Sequence, residues 1–255
     1  MYKVNFVKTF NCLLVSTVLL FSTLVQGAES KSNLADVWKM VPNEGQSAQF
    51  ESAFKAHLKF RQKQKDPRSW QTYAPVIGKD ISFYIVRHCC LAWADLDSYQ
   101  QWSKETGVLE DWNKNVAPYV RDYEHYLNEL DFANSNWPES NKGMQYFAVT
   151  QYRVKMGKGA SIAEGKKTLS SYAKAMKWPY YWSWSDQIGG KEGLSLVIPY
   201  SNYADMAPPE ESFYQAIVKH LKDEDKTKAI FKQWSGNFKS TDYTIYRIRP
   251  DLSMK

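Results

Sequence analysis

Three histidines in the first half of the chain are the side chains best suited to proton transfer or ligand coordination. His57 falls on a predicted helix, and His88 and His125 fall on two predicted strands. An imidazole whose pKa lies near about 6.5 can act as a general base or bind a metal or a haem. No Cys and His spacing typical of a zinc site occurs. The sequence therefore offers these histidines as candidate catalytic residues, predicts no metal site and leaves the cofactor unknown.

The strand that carries His88 alternates between two faces. One face holds Ile81, Phe83 and Ile85, an apolar trio that matches Leu194, Leu196 and Ile198 later in the chain and is suited to packing under helices. The other face holds Ser82, Tyr84, Val86, His88 and Cys90, and it is predicted to point into an interior space. In that orientation Tyr84 is a further catalytic candidate, as a hydrogen-bond donor to a developing oxyanion.

Aromatic residues are frequent and form clusters such as "SWQTYAP" from Ser69 and "WPYYWSWSD" from Trp178. They either pack across strands, where aromatic pairs stabilise sheets, or provide a stacking surface for a flat ligand. The candidate ligand-binding residues are Ser82, Trp70, Tyr73, Trp93 and Trp184.

Cys89 and Cys90 are adjacent. Because neighbouring side chains on a strand point to opposite faces, a bridge between them would distort the backbone. Two reduced or partly buried thiols are therefore expected.

An internal similarity predicts the architecture that positions these residues. "IGKDISFYIV" from Ile77 is similar to "IGGKEGLSLVI" from Ile188, and "RDYEHYLNEL" from Arg121 is similar to "TDYTIYRIRP" from Thr241. Hydrophobic periodicity gives β-α-β-β-α-β in each half, which is the order of a ferredoxin-like unit. The fold class is therefore α+β, with a first ferredoxin-like repeat at residues 35–137 and a second at 143–250. Each sheet leaves one face bare, so the two sheets are expected to pack face to face.

Three stretches carry a family resemblance: "VPNEGQSAQFESAFKAH" from Val41, the hairpin Y-x-x-V-I-G at Tyr73–Gly78, and "WADLDSY" from Trp93. With them the chain resembles the dimeric α+β barrel superfamily, which includes NIPSNAP, EthD and antibiotic-biosynthesis-monooxygenase domains. The resemblance implies a barrel of two ferredoxin-like units, here as a monomer with an internal pseudo-dimer or as a homodimer. It also implies roles that range from cofactor-free oxygenases, haem-degrading enzymes and isomerases to proteins without activity. No family's set of catalytic residues carries over position by position.

The N-terminal segment indicates export. Lys3 and Lys8 precede an apolar run that ends in small residues, as in a secretory signal peptide spanning residues 1–27. The cleaved protein is expected to be periplasmic or secreted, with no membrane association. The formal net charge of +6 is spread along the chain, so no nucleic-acid partner is expected.

Three function classes stay open at this stage. The first is a protein that binds a small apolar or aromatic molecule in the barrel. The second is a cofactor-free or haem-linked oxygenase or isomerase that uses a histidine base, and the third is a non-catalytic protein whose barrel is filled by side chains. Phosphate-binding loops and the signatures of serine hydrolases and zincins do not occur.

Overall fold

The computed structural model describes residues 32–140, 142–190 and 193–254, so the predicted signal peptide lies outside the described residues. The strands are β1 (Leu34–Pro42), β2 (Gln71–Ile77), β3 (Tyr84–Leu91), β4 (Val120–Leu130), β5 (Tyr146–Val154), β6 (Ser183–Ile188), β7 (Leu194–Tyr200) and β8 (Phe238–Ile248). The helices are α1 (Ser47–Lys63), α2 (Ala94–Thr106), α3 (Val108–Asn115), α4 (Gly159–Ala175), α5 (Phe213–Leu221) and α6 (Glu224–Ser235). Short 3-10 helices follow several of these elements.

The eight strands form one closed antiparallel barrel in the order β1-β3-β2-β8-β5-β7-β6-β4. Strands β1 to β4 and strands β5 to β8 occupy the two sides of the barrel. They join edge to edge, because β2 pairs with β8 and β4 pairs with β6. The predicted mixed α+β class is confirmed, with the difference that the described strands form a continuous wall instead of two separate stacked sheets. Closure leaves no strand edge unpaired among them.

Helices cover the outside of the barrel, and the sequence explains how they begin. A glycine with a positive φ angle ends the turn after β1 and after β5, at Gly45 (φ 72°) and Gly157 (φ 76°). This left-handed conformation suits glycine because it has no Cβ. The chain then enters α1 and α4, two helices of 17 residues each.

Two apolar clusters hold the helices against the barrel. The first includes Phe50 and Phe54 of α1 and the outward-facing side chains of β3. The second is richer in tryptophan, with Trp184 of β6 and Trp234 of α6 in contact at 5.4 Å between ring centroids. Within the described residues no helix is both long enough and apolar enough to cross a lipid bilayer.

The C-terminal segment returns from the second side of the barrel and packs against the first. Leu252 is fully buried in the cluster under α1, and its carbonyl accepts a hydrogen bond of 2.5 Å from the Thr72 hydroxyl. Arg249 donates two hydrogen bonds to Glu51 of α1, at 2.7 Å and 2.8 Å. Bidentate pairs of this kind are among the stronger protein hydrogen bonds, so this contact fastens the two sides together.

Candidate functional site

The barrel encloses a cavity of about 400 Å³. Aromatic and aliphatic side chains form most of its wall, including Phe147, Val149, Val197 and Tyr246, together with amide and hydroxyl groups. The volume lies within the range of small-molecule sites, and mostly apolar walls with a few polar groups are typical of such sites. The interior is therefore not filled by side chains, which argues against the third function class.

One row of residues across β2, β3, β1 and β4 gives the cavity its polar side. Arg87 of β3 lies opposite Val37 of β1 and Gln71 of β2, and Val37 lies opposite Tyr126 of β4. All four line the cavity. Residues paired across strands in this way share a face of the sheet, so the pairing places the guanidinium, the amide and the phenol on the same inner surface.

Arg87 is the one charged side chain among the described residues that line the cavity. None of the ion pairs and hydrogen bonds between described side chains involves it. Other arginines differ, because Arg61 pairs with Asp66 at 2.6 Å and Arg68 pairs with Asp36. Burial lowers the pKa of Arg87, and the nearby phenols of Tyr73 and Tyr126 oppose that shift. An arginine remains protonated in a protein, so a positive charge stands inside the barrel.

The tyrosines around Arg87 are neutral hydrogen-bond donors. Burial raises the pKa of Tyr73 and of Tyr126 above the usual value, although the charge of Arg87 opposes both shifts. Burial likewise raises the pKa of Tyr246 to about 12. The Tyr73 hydroxyl donates to Gln71 at 2.8 Å, and its ring meets Phe147 edge to face at 5.2 Å. This wall can therefore donate hydrogen bonds to an acceptor.

Cys89 and Cys90 also line the cavity, and they form a disulfide with each other. The expectation of two reduced thiols was wrong. The peptide bond between the two residues is cis, and their Cα atoms lie 3.0 Å apart.

The predicted orientation of β3 was also wrong. Ile85, Arg87 and Cys89 face the cavity, whereas Tyr84 and Val86 belong to the cluster under α1. The prediction for β7 is confirmed, since Leu194 is in the apolar cluster under the helices and Leu196 and Ile198 pack against it. The error came from aligning Ile85 with Ile198: the strand pairings place Ile85 at the position of Ser195. The alignment was thus shifted by three residues. Because three is an odd number and side chains alternate along a strand, this shift exchanges the inner and outer faces of β3.

The catalytic candidates therefore lie outside the cavity. Tyr84 donates a hydrogen bond of 2.6 Å to Glu51 of α1, and burial together with this bond raises its pKa to about 12. His57 is fully buried on α1, with Nδ1 2.6 Å from Asp111 and Nε2 accepting from Arg61 at 2.9 Å. Burial lowers its pKa. Asp111 and Arg61 hold the His57 ring in place, so His57 has a structural role.

The other two histidines occupy the outer face of the barrel. His88 Nδ1 accepts a hydrogen bond of 3.1 Å from the Ser69 backbone, and burial lowers its pKa. His125 stacks on Trp38 with 4.0 Å between ring centroids, and its Nε2 lies 2.9 Å from Asp36. The structure does not bring the three histidines together, and none of them lines the cavity.

Of the predicted ligand-binding residues, Tyr73 lines the cavity and the other four do not. Trp70 and Trp184 are buried under helices, where their indole N–H groups donate to Asp66 and Ser170. Trp93 is exposed at the start of α2, and Ser82 is exposed in the turn before β3.

The cavity wall does not fit a haem. Haem iron takes a His, Met, Cys thiolate or Tyr as axial ligand. The described residues around the cavity include no His or Met, and their two cysteines are joined to each other. Tyrosines remain, but a Tyr ligand binds iron as the phenolate, and burial raises the pKa of Tyr73 and Tyr126 and so opposes that form. Elsewhere in the described ranges, no three His, Cys, Asp or Glu side chains are grouped so as to hold a metal ion.

Comparison with known proteins identifies the fold. No protein family matches the chain by its sequence profile, and no curated protein matches it. Several solved structures match the chain. A provisionally assigned monooxygenase from Lactobacillus acidophilus NCFM superposes with a TM-score of 0.52 at 10% sequence identity, covering 88% of this chain and 97% of that one. The fold of this chain is similar to the fold of that structure.

Two further structures agree with that similarity. An anthrone oxidase-like protein matches with a TM-score of 0.50 at 9% identity and covers 86% of this chain and 92% of its own. A mutant chlorite dismutase from Candidatus Nitrospira defluvii matches with a TM-score of 0.50 at 9% identity, and the match covers 87% of this chain and 94% of that one. At these identities the likeness shows the fold alone.

Sequence reasoning missed Arg87, Tyr126 and Phe147 as cavity residues. One signal was present: Arg87 is a charged residue within the apolar stretch "FYIVRHCCL". Charged side chains are rarely enclosed unless they have a partner, so a single arginine in a barrel strand marks a position worth testing. The missing information was the register that decides which face of β3 is inside.

Proposed function

We propose that this chain is an exported protein that binds a small, largely apolar or aromatic molecule inside its barrel. The observation that carries the proposal is the enclosed cavity of about 400 Å³ with aromatic walls and a few polar groups. The Cys89–Cys90 disulfide supports export, because disulfides persist mainly in oxidising compartments. The order of elements supports the interpretation of the barrel as two fused ferredoxin-like units, so that a single chain would complete the cavity.

Binding is favoured over histidine-dependent catalysis by the placement of the side chains. The described cavity wall contains no His, Asp or Glu that could remove a proton. An oxygenase or isomerase in this barrel would instead rely on Arg87 and Tyr126 as donors to a developing oxyanion. The likeness to a provisionally assigned monooxygenase and to an anthrone oxidase-like protein keeps that second function under consideration. Oxygen consumption with an aromatic substrate would reveal it.

The test of binding is isothermal titration calorimetry with 1-naphthylacetamide, a neutral aromatic probe. The parent protein is expected to bind it. Val149→Trp, which adds an indole on the cavity wall, is expected to weaken binding by about tenfold or more, since burial of the probe's apolar surface is lost. Tyr243→Trp, at an exposed position, is the matched control. Binding that is unaffected by Val149→Trp would place the probe elsewhere and contradict the proposal.

A further inference from the structure

Arg87 has a chemical environment that no other described arginine shares. Its neighbours across the strands are Val37 and Gln71, and the groups that interact with its charge are two phenols. By contrast, Arg249 forms ion pairs with Glu51 and Asp251. Among the described residues no carboxylate neutralises Arg87, although it is half-buried inside the barrel.

An enclosed charge without a partner is costly. Removing a charged group from water carries a large penalty, which is offset when an opposite charge and good hydrogen bonds are supplied. In the chain as described, the surface that Arg87 presents is the wall of the cavity. The compensating group is therefore expected to come from whatever occupies the cavity.

We propose that the molecule bound in the barrel is an organic monocarboxylate, with its carboxylate held by the Arg87 guanidinium and its apolar body against the opposite wall. This inference rests on the proposed function and names its ligand class. A planar guanidinium matches a carboxylate with two parallel hydrogen bonds. One cation balances one negative charge, so a monoanion suits the site better than a dianionic phosphate.

The remaining wall fits such a molecule. Tyr126 lies in the same cross-strand row as Arg87 and carries a protonated phenol, which can donate a further hydrogen bond to a carboxylate oxygen. Across the barrel, Val149 is paired with Val197, and Phe147 is nearby on the same strand. These side chains can bury an aromatic or aliphatic body. The cavity is thus polar on one side and apolar on the other.

The experiment compares two probes of nearly the same shape, 1-naphthylacetate and 1-naphthylacetamide, by isothermal titration calorimetry at constant ionic strength and neutral pH. The carboxylate is expected to bind the parent protein about tenfold or more tightly than the amide, because it alone neutralises Arg87. Equal affinities, or a preference for the amide, would overturn the inference while the proposed binding function stands. Failure of both probes to bind would instead count against the proposed function.

Three variants locate the effect. Arg87→Met keeps an unbranched side chain and removes the charge, and it is expected to remove most of the preference for the carboxylate over the amide. Arg87→Lys keeps the charge without the planar fork and is expected to fall between the two. Arg121→Met, the same substitution at an exposed arginine, is the matched control and should retain the full preference.

Folding of each variant is checked by circular dichroism and by its thermal midpoint. If Arg87→Met does not fold, the preference of the parent protein together with Arg87→Lys decides the matter. A full carboxylate preference in Arg87→Met, or its loss in Arg121→Met, would show that the anion is recognised by another group and would overturn the inference.

Discussion

The two sides of the barrel carry the same strand pairings and different chemistry. On the first side Val37 of β1 faces Arg87 and Tyr126, and Gln71 faces Arg87. The corresponding positions on the second side are Val149, facing Val197 and Thr244, with Ser183 facing Val197. The guanidinium of Arg87, the phenol of Tyr126 and the amide of Gln71 thus correspond to smaller, uncharged side chains on the second side. One geometry therefore supplies an anion-binding wall on one side and a mainly apolar wall on the other.

The layer beneath the helices shows a similar contrast. Asp36 is the third residue of β1 and pairs with Arg68, whereas Ala148 is the third residue of β5. His57 of α1 corresponds in position to Leu169 of α4. The first side thus places an ion pair and a histidine at positions where the second side has apolar residues. An ionic contact of the second side lies elsewhere, between Lys166 of α4 and Asp186 at 2.7 Å.

The largest effect is expected from breaking the buried ion pair of the first side. Asp36→Ala leaves the Arg68 guanidinium buried without a carboxylate and should lower the free energy of unfolding by about 3 to 5 kcal/mol. Asp242→Ala removes a carboxylate that is exposed and 3.9 Å from Arg153, so it should cost about 1 kcal/mol or less. Urea denaturation measures both.

The double variant Asp36→Ala/Arg68→Met sharpens this test. Removing both charges leaves no buried guanidinium without a partner at this position, and it should recover much of the stability lost in Asp36→Ala. If the double variant is as unstable as the single one, the loss does not come from an unpaired arginine.

A smaller stability change is expected where the second side packs a tryptophan against a helix. A Cβ at Gly165 would lie 2.6 Å from Trp234, so Gly165→Ala should destabilise the fold by about 1 to 3 kcal/mol despite the higher helix propensity of alanine. The first side already has alanine at the same helix position, Ala53. The reverse change Ala53→Gly should cost only about 1 kcal/mol, measured by urea denaturation. A stabilised Gly165→Ala would contradict the packing described for α4 and α6.

Moving the charge across the barrel tests whether the two walls are geometrically equivalent. Adding Val197→Arg to Arg87→Met places the guanidinium at the corresponding position of β7. The carboxylate probe should then regain at least part of its preference, about threefold or more over the amide in calorimetry. No recovery in a folded double variant would show that Tyr126 and Gln71 are required beside the charge.

The last effect concerns pH. Burial lowers the pKa of His57 below its unfolded value, so the unfolded state binds more protons as the pH falls below about 6.5. The stability that the neutral form contributes is therefore present above that pH and lost below it. Between pH 7.5 and pH 5, His57→Gln should flatten the decline in unfolding free energy by about 1 kcal/mol. A decline in His57→Gln as steep as in the parent protein would contradict this account of His57.

Much of the fold could be predicted from the sequence because it depends on local patterns. Periodicity predicted how strands and helices alternate along the chain, and the described elements follow that order. The site was predicted less well because it depends on register: one odd shift in aligning β3 with β7 put Tyr84 inside and Arg87 outside. The disulfide was missed because the expectation that neighbouring side chains point to opposite faces does not hold for Cys89 and Cys90, which both line the cavity.

The most direct test of the central claim is a crystal structure of the protein with 1-naphthylacetate bound. The account predicts the naphthyl ring inside the barrel, near Phe147 and Val197, with the carboxylate within hydrogen-bond distance of the Arg87 guanidinium. A probe bound outside the barrel, or bound inside with its carboxylate directed away from Arg87, would contradict it.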